Sequence, residues 1–444
     1  MPRSRKTANW NNFPVIRSTS HKFTTSGDLR RLLRQVTKVI SRGSGKSYGD
    51  ASLSEQVIST REFNKIVSFN KEEGIIRCES GVTLNDILEV IVPDGWFLPV
   101  VPGTKHITLG GAVAANVHGK NHHTDGSISE FIKSMSIMLA DGALVNCSKL
   151  EYPDLFNNTC GGMGLTGIIM EVELKLKKIE TSYITQTNIV APDLKTLIKA
   201  LIQNKEATYS VAWIDCLAKG KSLGRGVLML GEHASETSVN DGVGNKLKIH
   251  EPPKLRVPFN LPSFILNRVS IRWFNAAYYH LKKRARAKVS NVHYDQFFFP
   301  LDVIGDWNRL YGKKGFLQYQ FVIPFDQGDE SFIEIFNKIV ESRNASFLSV
   351  LKVLGDGGSA ISFPMPGYTL ALDLPITARV FDFLDDLDWL VAKHGGRVYL
   401  AKDARTKRDV IQKGYAKLGS FKDIRKITGA EAKFESLLSR RLGI

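Results

Sequence analysis

Apolar residues along this 444-residue chain follow two rhythms. Over the first 180 or so positions, helical and extended patterns alternate. Leu29, Leu32, Leu33 and Val36 recur at helical spacing behind Ser26, which predicts a helix capped by that serine. Residues 66–69 and 75–78 flank Lys71-Glu72-Glu73-Gly74 and read as a β-hairpin. Thr83 and Asp86 predict a capping box that opens a helix over 84–91, stopped by Pro93-Asp94-Gly95. Residues 168–177 then alternate as a strand does, behind the glycine-rich stretch Gly161 to Gly167.

After about residue 180 the pattern changes. Strands are predicted at 209–214 and 317–323, among loops with few glycine clusters. A helix is predicted over 378–394: Asp382, Asp385 and Asp386 lie early, Val380, Phe383, Leu384, Leu387 and Leu390 form its apolar face, and Gly395-Gly396 ends it. The last 45 or so residues are basic and helix-prone, and no internal repeat or low-complexity tract interrupts the chain. Such a length exceeds one ordinary core. The expected organisation is two domains, residues 1–180 and 181–396, followed by the segment 397–444.

Composition narrows the class. A hydrophobic fraction of 43% with 23% charged residues is that of a soluble globular protein, and no apolar run is long enough to span a bilayer. Residues 1–12 are polar and basic without an apolar stretch behind them, so a cytoplasmic protein is expected. Cys78, Cys147, Cys160 and Cys216 never form a CxxC pair and read as reduced thiols. The formal charge of +16 favours an anionic partner. Nucleic acid is disfavoured, because no recognised binding motif accompanies the charge.

Two segments carry chemistry. Ser41-Arg42-Gly43-Ser44-Gly45-Lys46-Ser47-Tyr48-Gly49-Asp50 follows Val39-Ile40. Its three glycines let backbone N–H groups approach a pyrophosphate, whose charge Arg42 and Lys46 offset. The loop is neither a Walker loop nor a Rossmann GxGxxG. The second segment runs from Pro102-Gly103-Thr104 through Thr108-Leu109-Gly110-Gly111-Ala112-Val113-Ala114-Ala115-Asn116-Val117-His118-Gly119-Lys120-Asn121-His122-His123. Small residues over that length suggest backbone lying flat against a ligand, and three histidines with a lysine follow them directly. A metal site on His118, His122 and His123 competes, although no carboxylate or cysteine falls at ligand spacing.

Together, RGSGKSYGD, PGTKHITLGGAVAANVHGKNHH and GGMGLTGII resemble the vanillyl-alcohol-oxidase type of FAD-binding fold. Within it they are most similar to the flavin oxidase subunits of decaprenylphosphoryl-ribose 2′-epimerases. The resemblance continues through WIDC (Trp213 to Cys216), PLDVIGDWNRLYG, GFLQYQFVIP, FPMPGY and AKDART, in order along nearly the whole chain. It implies an α+β fold of two domains, with the FAD-binding part built from the N-terminal residues plus the tail. A substrate domain on an antiparallel sheet is inserted between them.

The same resemblance implies that residues 41 to 51 (through Ala51), Gly103, Thr108, Leu109, Gly110, Gly111, Ala115, Asn116, Val117, His118, Ile168 and Tyr399 line FAD. Covalent relatives bond the flavin through a histidine of the first loop. That position is Lys46 here, so noncovalent FAD is expected. The implied reaction oxidises the 2′-hydroxyl of a polyprenyl-phosphate ribose to a keto sugar, and a separate NAD(P)H-dependent reductase completes an epimerisation. Lys402 would act as base or anchor, with His118 and Tyr48 beside the flavin. Lys120, Trp213, Gln318, Gln320 and Lys352 would face the substrate, although lone glutamines in an alternating strand more often face solvent. Phe298-Phe299 replace Tyr-His of mycobacterial members and Ala371 replaces their cysteine, near Thr369. The competing readings are an aldonolactone or free-sugar oxidase of the same fold and a non-catalytic basic binding protein.

One further segment stands apart. Asn267 to Ser290 mixes Trp273, Phe274, Tyr278, Tyr279 and Leu281 with Arg268, Arg272, Lys282, Lys283, Arg284, Arg286 and Lys288. Aromatics beside a basic cluster suit an anionic membrane surface, giving a protein held peripherally at the inner face of the cell membrane. A solvated helix is the alternative.

Overall fold

The computed structural model describes residues 4–239, 244–249, 255–262, 265–285, 289–344, 346 and 348–444. Arg286 and Lys288 therefore lie outside the described residues. Helices mix with mainly antiparallel sheets in an α+β architecture.

Two sheets occupy the N-terminal part. The smaller has four strands, ordered Ser4–Thr7, Ile16–Lys22, Gln56–Ser59 and Ile40–Arg42, the last three mutually parallel. The larger is antiparallel, ordered Ile66–Asn70, Ile75–Glu79, Ile168–Lys175, Ile132–Met138 and Leu144–Cys147. Against it pack helix Leu84–Ile91, opened by the Thr83–Asp86 capping box, and the short helix Leu109–Ala114. The first helix starts one position earlier than its pattern suggests: Thr25, not Ser26, caps it, accepting from the Asp28 N–H at 3.1 Å. The strand expected over 168–177 stops at Lys175, and Lys177–Lys178 pairs instead with Trp96–Phe97.

Residues 183 to 375 build most of an eight-stranded antiparallel sheet. Its order is Val289–His293, Tyr183–Ala191, Gly226–His233, Tyr209–Ile214, Ser349–Leu354, Gly367–Pro375, Phe316–Pro324 and Arg397–Val398. Side chains on a strand alternate between faces. Leu317, Tyr319, Phe321 and Ile323, with Leu351, Leu370, Leu372 and Leu374, bury one face against helices Leu194–Gln203, Gly328–Ser342 and Val380–Lys393. The opposite face therefore receives Gln318, Gln320, Lys352, Thr369, Ala371 and Asp373. Gln318 and Gln320 are buried there, not turned to solvent.

The C-terminal helices return to the N-terminal part. Lys433 donates from Nζ to the Leu33 and Val36 carbonyls at 2.8 and 2.7 Å, and Arg425 donates to the Leu165 and Phe434 carbonyls. The tightest seam joins the first glycine-rich loop to residues 401–403. Ser47 Oγ donates to the Ala401 carbonyl at 2.6 Å, and the Tyr48 and Asp50 amides donate to the carbonyls of Ala401 and Asp403 at 3.3 Å. A Cβ on Gly49 would stand 1.9 Å from the Asp403 carbonyl oxygen, so the backbones touch only because this residue is glycine. Arg441 closes the seam: its guanidinium lies 2.9 Å from Asp50 Oδ1 and 3.0 Å from Asp403 Oδ2.

Removing Arg441 leaves buried Asp50 without its cation and buried Asp403 with Arg405 alone. Arg441→Met is expected to cost about 3 kcal/mol, the low end for a broken buried pair because the arginine side chain keeps 23% of its exposure. Urea unfolding with an unchanged m-value measures it; a loss below about 1 kcal/mol would show that the seam does not depend on this cation.

Candidate active site

A cavity of about 1040 Å³ lies where the glycine-rich segments meet the polar face of the eight-stranded sheet. Ser41, Gly43, Ser44, Gly45, Lys46, Ser47, Tyr48 and Ala51 line one part of it, and Gly103, Thr108, Gly110, Gly111, Ala115, Val117, His118 and Tyr399 line the adjoining part. Lys120, Trp213, Gln318, Gln320, Lys352 and Lys402 line the sheet side. The sequence's two chemical segments and its scattered substrate-side residues thus converge.

Six residues expected at the flavin do not line the cavity. Arg42 turns away to the Ala8 carbonyl at 2.8 Å, and Asp50 and Gly49 belong to the seam. Leu109 and Ile168 point into apolar cores; Ile169 lines the cavity beside Ile168. Asn116 is buried and donates to Ser359 Oγ and Ser362 Oγ at 3.2 and 2.9 Å, holding the turn from behind. His122 and His123 are likewise engaged by the fold: His122 accepts from the Gly355 amide at 3.0 Å, and His123 Nε2 sits 2.9 Å from the Ala207 carbonyl.

The cradle is built from missing side chains. A Cβ on Gly43 would stand 2.1 Å from Thr108 Oγ1, and one on Gly110 would stand 2.7 Å from Ser80 Cβ. Gly45 takes φ +63°, a conformation that favours glycine. Ser80, which also lines the cavity, keeps its Oγ buried without a hydrogen-bond partner among the described residues.

At the centre, the Gln320 amide donates to His118 Nε2 and to Thr369 Oγ1, both at 3.1 Å. This orientation leaves the imidazole proton on Nδ1, which is buried and unpartnered among the described residues. The ring packs beside the stacked pair Tyr399 and Phe363, at centroid distances of 5.1 and 5.5 Å. Burial first, then Lys352, His122 and Lys402, disfavours its charged form, so His118 is a neutral donor.

Four half-buried lysines line the same cavity. Burial pulls Lys402 down to about 8 against the opposing pull of Asp373, and it pulls Lys120 to about 7. Burial together with neighbouring Lys402 and Lys120 brings Lys352 to about 7. Lys46, whose Nζ lies 3.4 Å over the Trp10 ring, falls to about 8 through burial, despite Asp302 and Asp306. An anion entering beside Lys120 and Lys352 would restore their charges and take up protons as it binds. Asp373 escaped the sequence reading. It is buried, accepts from the Gln318 amide and is pushed up to about 7 by burial, with Gln318 and Lys402 pulling the other way. Its only signal was position: it shares strand parity with Thr369 and Ala371.

The cradle, the unpartnered serine and the excess of buried cations fit an elongated cofactor carrying a diphosphate. Residues 22–148 match the FAD binding domain family, and with the relative that follows this makes the chain an FAD-dependent oxidoreductase. Over 433 residues, 94% of each chain, it is 35% identical to decaprenylphosphoryl-β-D-ribose oxidase of Mycolicibacterium smegmatis. It is also 31% identical to an uncharacterized Streptomyces coelicolor protein, across 82% of this chain and all of that one. L-Gulonolactone oxidase of Mus musculus is 25% identical, across 40% of this chain and 42% of its own length. The chain belongs to the decaprenylphosphoryl-β-D-ribose oxidase family.

Proposed function

We propose that this protein oxidises the 2′-hydroxyl of a polyprenyl-phosphate ribose to the 2′-keto sugar, the first half of a ribose-to-arabinose epimerisation. The observation that carries the reading is the convergence of Lys402, His118 and Gln320 with Lys120 and Lys352 in the cavity that both glycine-rich segments line. The extent of likeness favours it over a lactone oxidase: 94% of the chain aligns with the ribose oxidase and 40% with the gulonolactone oxidase.

FAD supplies a two-electron acceptor for the hydride on the hydroxyl-bearing carbon. Lys402 takes the hydroxyl proton on Nζ as that hydride leaves, because burial keeps a useful fraction of its amine neutral near physiological pH. His118 donates from Nδ1 and Gln320 fixes its ring. Lys120 and Lys352 hold the sugar phosphate, Gln318 steadies Asp373, and Tyr48 packs beside Lys402, whose Nζ lies 5.7 Å from its ring centroid. Trp213 walls the substrate end. Lys46 occupies the position of the covalent histidine, so FAD is held noncovalently.

In this reading, residues 1–180 and the tail 397–444 form the FAD-binding domain and 181–396 the substrate domain. The keto product passes to a separate NAD(P)H-dependent keto-sugar reductase. The protein works peripherally on the inner face of the cell membrane. No helix among the described residues is long and apolar enough to cross a bilayer. Support for the membrane comes from helix Arg268–Arg284, which exposes Trp273 to 75%, Val269 to 66% and Leu281 to 71% beside Lys282, Lys283 and Arg284.

Two outcomes follow. Lys402→Ala should keep FAD yet slow anaerobic flavin reduction by substrate about 100-fold or more. In the wild type that rate should rise as pH climbs through about 8, since the neutral base grows as the lysine deprotonates. A rate that falls with rising pH would make Lys402 a cationic anchor instead. Replacing Lys282, Lys283 and Arg284 together with Gln should weaken co-sedimentation with anionic vesicles, each charge contributing about 1 kcal/mol near such a surface. Undiminished co-sedimentation would show a merely solvated face.

A further inference from the structure

Besides the exposed basic row of Arg268, Arg272, His280 and Arg284, helix Arg268–Arg284 presents three faces, each repeating at four-residue spacing. Ile271, Asn275 and Tyr279 are its base, buried on the eight-stranded sheet. The base is locked by a polar clamp: Asn275 donates to Asp215 Oδ1 at 2.9 Å, Arg225 pairs with Asp215 Oδ2 at 2.9 Å, and the Arg225 guanidinium lies 4.7 Å from the Tyr279 ring centroid. Val269, Trp273 and Leu281 form the exposed outer face. The third face, Phe274, Tyr278 and Lys282, is turned into the cavity that also holds Lys402.

What lies beneath this third face is apolar and leads directly to the lysines. Strand Tyr209–Ile214 begins beside Lys120, whose carbonyl accepts from the Ser210 amide at 2.9 Å. Three residues further, Trp213 meets Tyr278 edge to face at 4.8 Å between centroids. Between these ends Val211 stands opposite Met229 on the neighbouring strand, and both line the cavity. The floor from Val211 to Trp213 covers about 7 Å, on the order of one or two isoprene units. Nothing in a ribose or a phosphate requires such a floor.

We propose that Val211, Met229 and Trp213 below, with Phe274 and Tyr278 above, form a subsite for the first isoprene units of the substrate's lipid tail. The inference rests on the functional reading above and adds what holds the carrier. The helix is then a roof with two lipid-facing sides: its outer face meets the bilayer while its inner face guides the tail from bilayer to lysines. Lys282, with Nζ 5.8 Å from the Tyr278 ring centroid, marks the outer end of that path.

The test compares farnesyl-phosphoryl ribose with methyl-phosphoryl ribose as reductants of the holoenzyme's flavin, without vesicles, so that membrane docking contributes nothing. The wild type should show a KM lower by about tenfold or more for the farnesyl compound, since each buried methylene is worth a factor of about four. Phe274→Ser alters the half-exposed roof without touching the Ile271–Asn275–Tyr279 base, and Met229→Gln alters the floor. In each the ratio of the two KM values should fall toward one. Equal KM values in the wild type, or a ratio unmoved in both variants, would overturn the subsite while leaving the oxidase reading intact. Flavin that neither compound reduces would overturn the reading and the subsite with it.

Discussion

The site depends on one long-range ionic contact. Arg441, with three residues after it, lies between Asp50 of the first glycine-rich loop and Asp403 beside Lys402. Burial raises the Asp403 carboxyl, but Arg441 and Arg405 hold it below its ordinary range, so the charge persists inside the protein. Because the two backbones meet at Gly49 without an intervening side chain, the first glycine-rich loop and the turn that carries Lys402 are held in direct contact. In the proposed reaction, a lysine that must stand near both cofactor and substrate gains its placement this way.

Strand alternation supplies the rest. In the eight-stranded sheet a two-residue period sends leucines and aromatics to three covering helices and sends two glutamines and a lysine to the cavity, with Asp373 buried behind Gln318. Those polar groups lose water as the fold closes over them, and this loss, more than any single partner, brings Lys120, Lys352 and Lys402 to about 7 or 8. Charge that the cavity itself leaves unsatisfied is what makes it receptive to phosphate and diphosphate.

Features encoded over a few residues were legible in the sequence. The Thr83–Asp86 box, the alternation through Phe316–Pro324 and both glycine-rich segments fall where local chemistry puts them. Features that need distant partners were not. Nothing near Gln318 and Gln320 tells that neighbouring strands will bury them, and nothing near Arg42 tells that it will serve the N-terminal segment rather than a ligand. Asp373 carried only parity as a signal. The basic aromatic stretch after Asn267 was visible as composition, but its three faces required the helix and the sheet beneath it.

The central claim is hydride removal from the 2′ carbon of a ribosyl lipid phosphate in this cavity. It is tested most directly by mixing the oxidised holoenzyme anaerobically with polyprenyl-phosphate ribose carrying deuterium at C2′, and comparing flavin bleaching with the unlabelled compound. Slower bleaching with the deuterated sugar, and a 2′-keto product, is the predicted result. Equal rates with deuterium retained in the sugar would contradict the account.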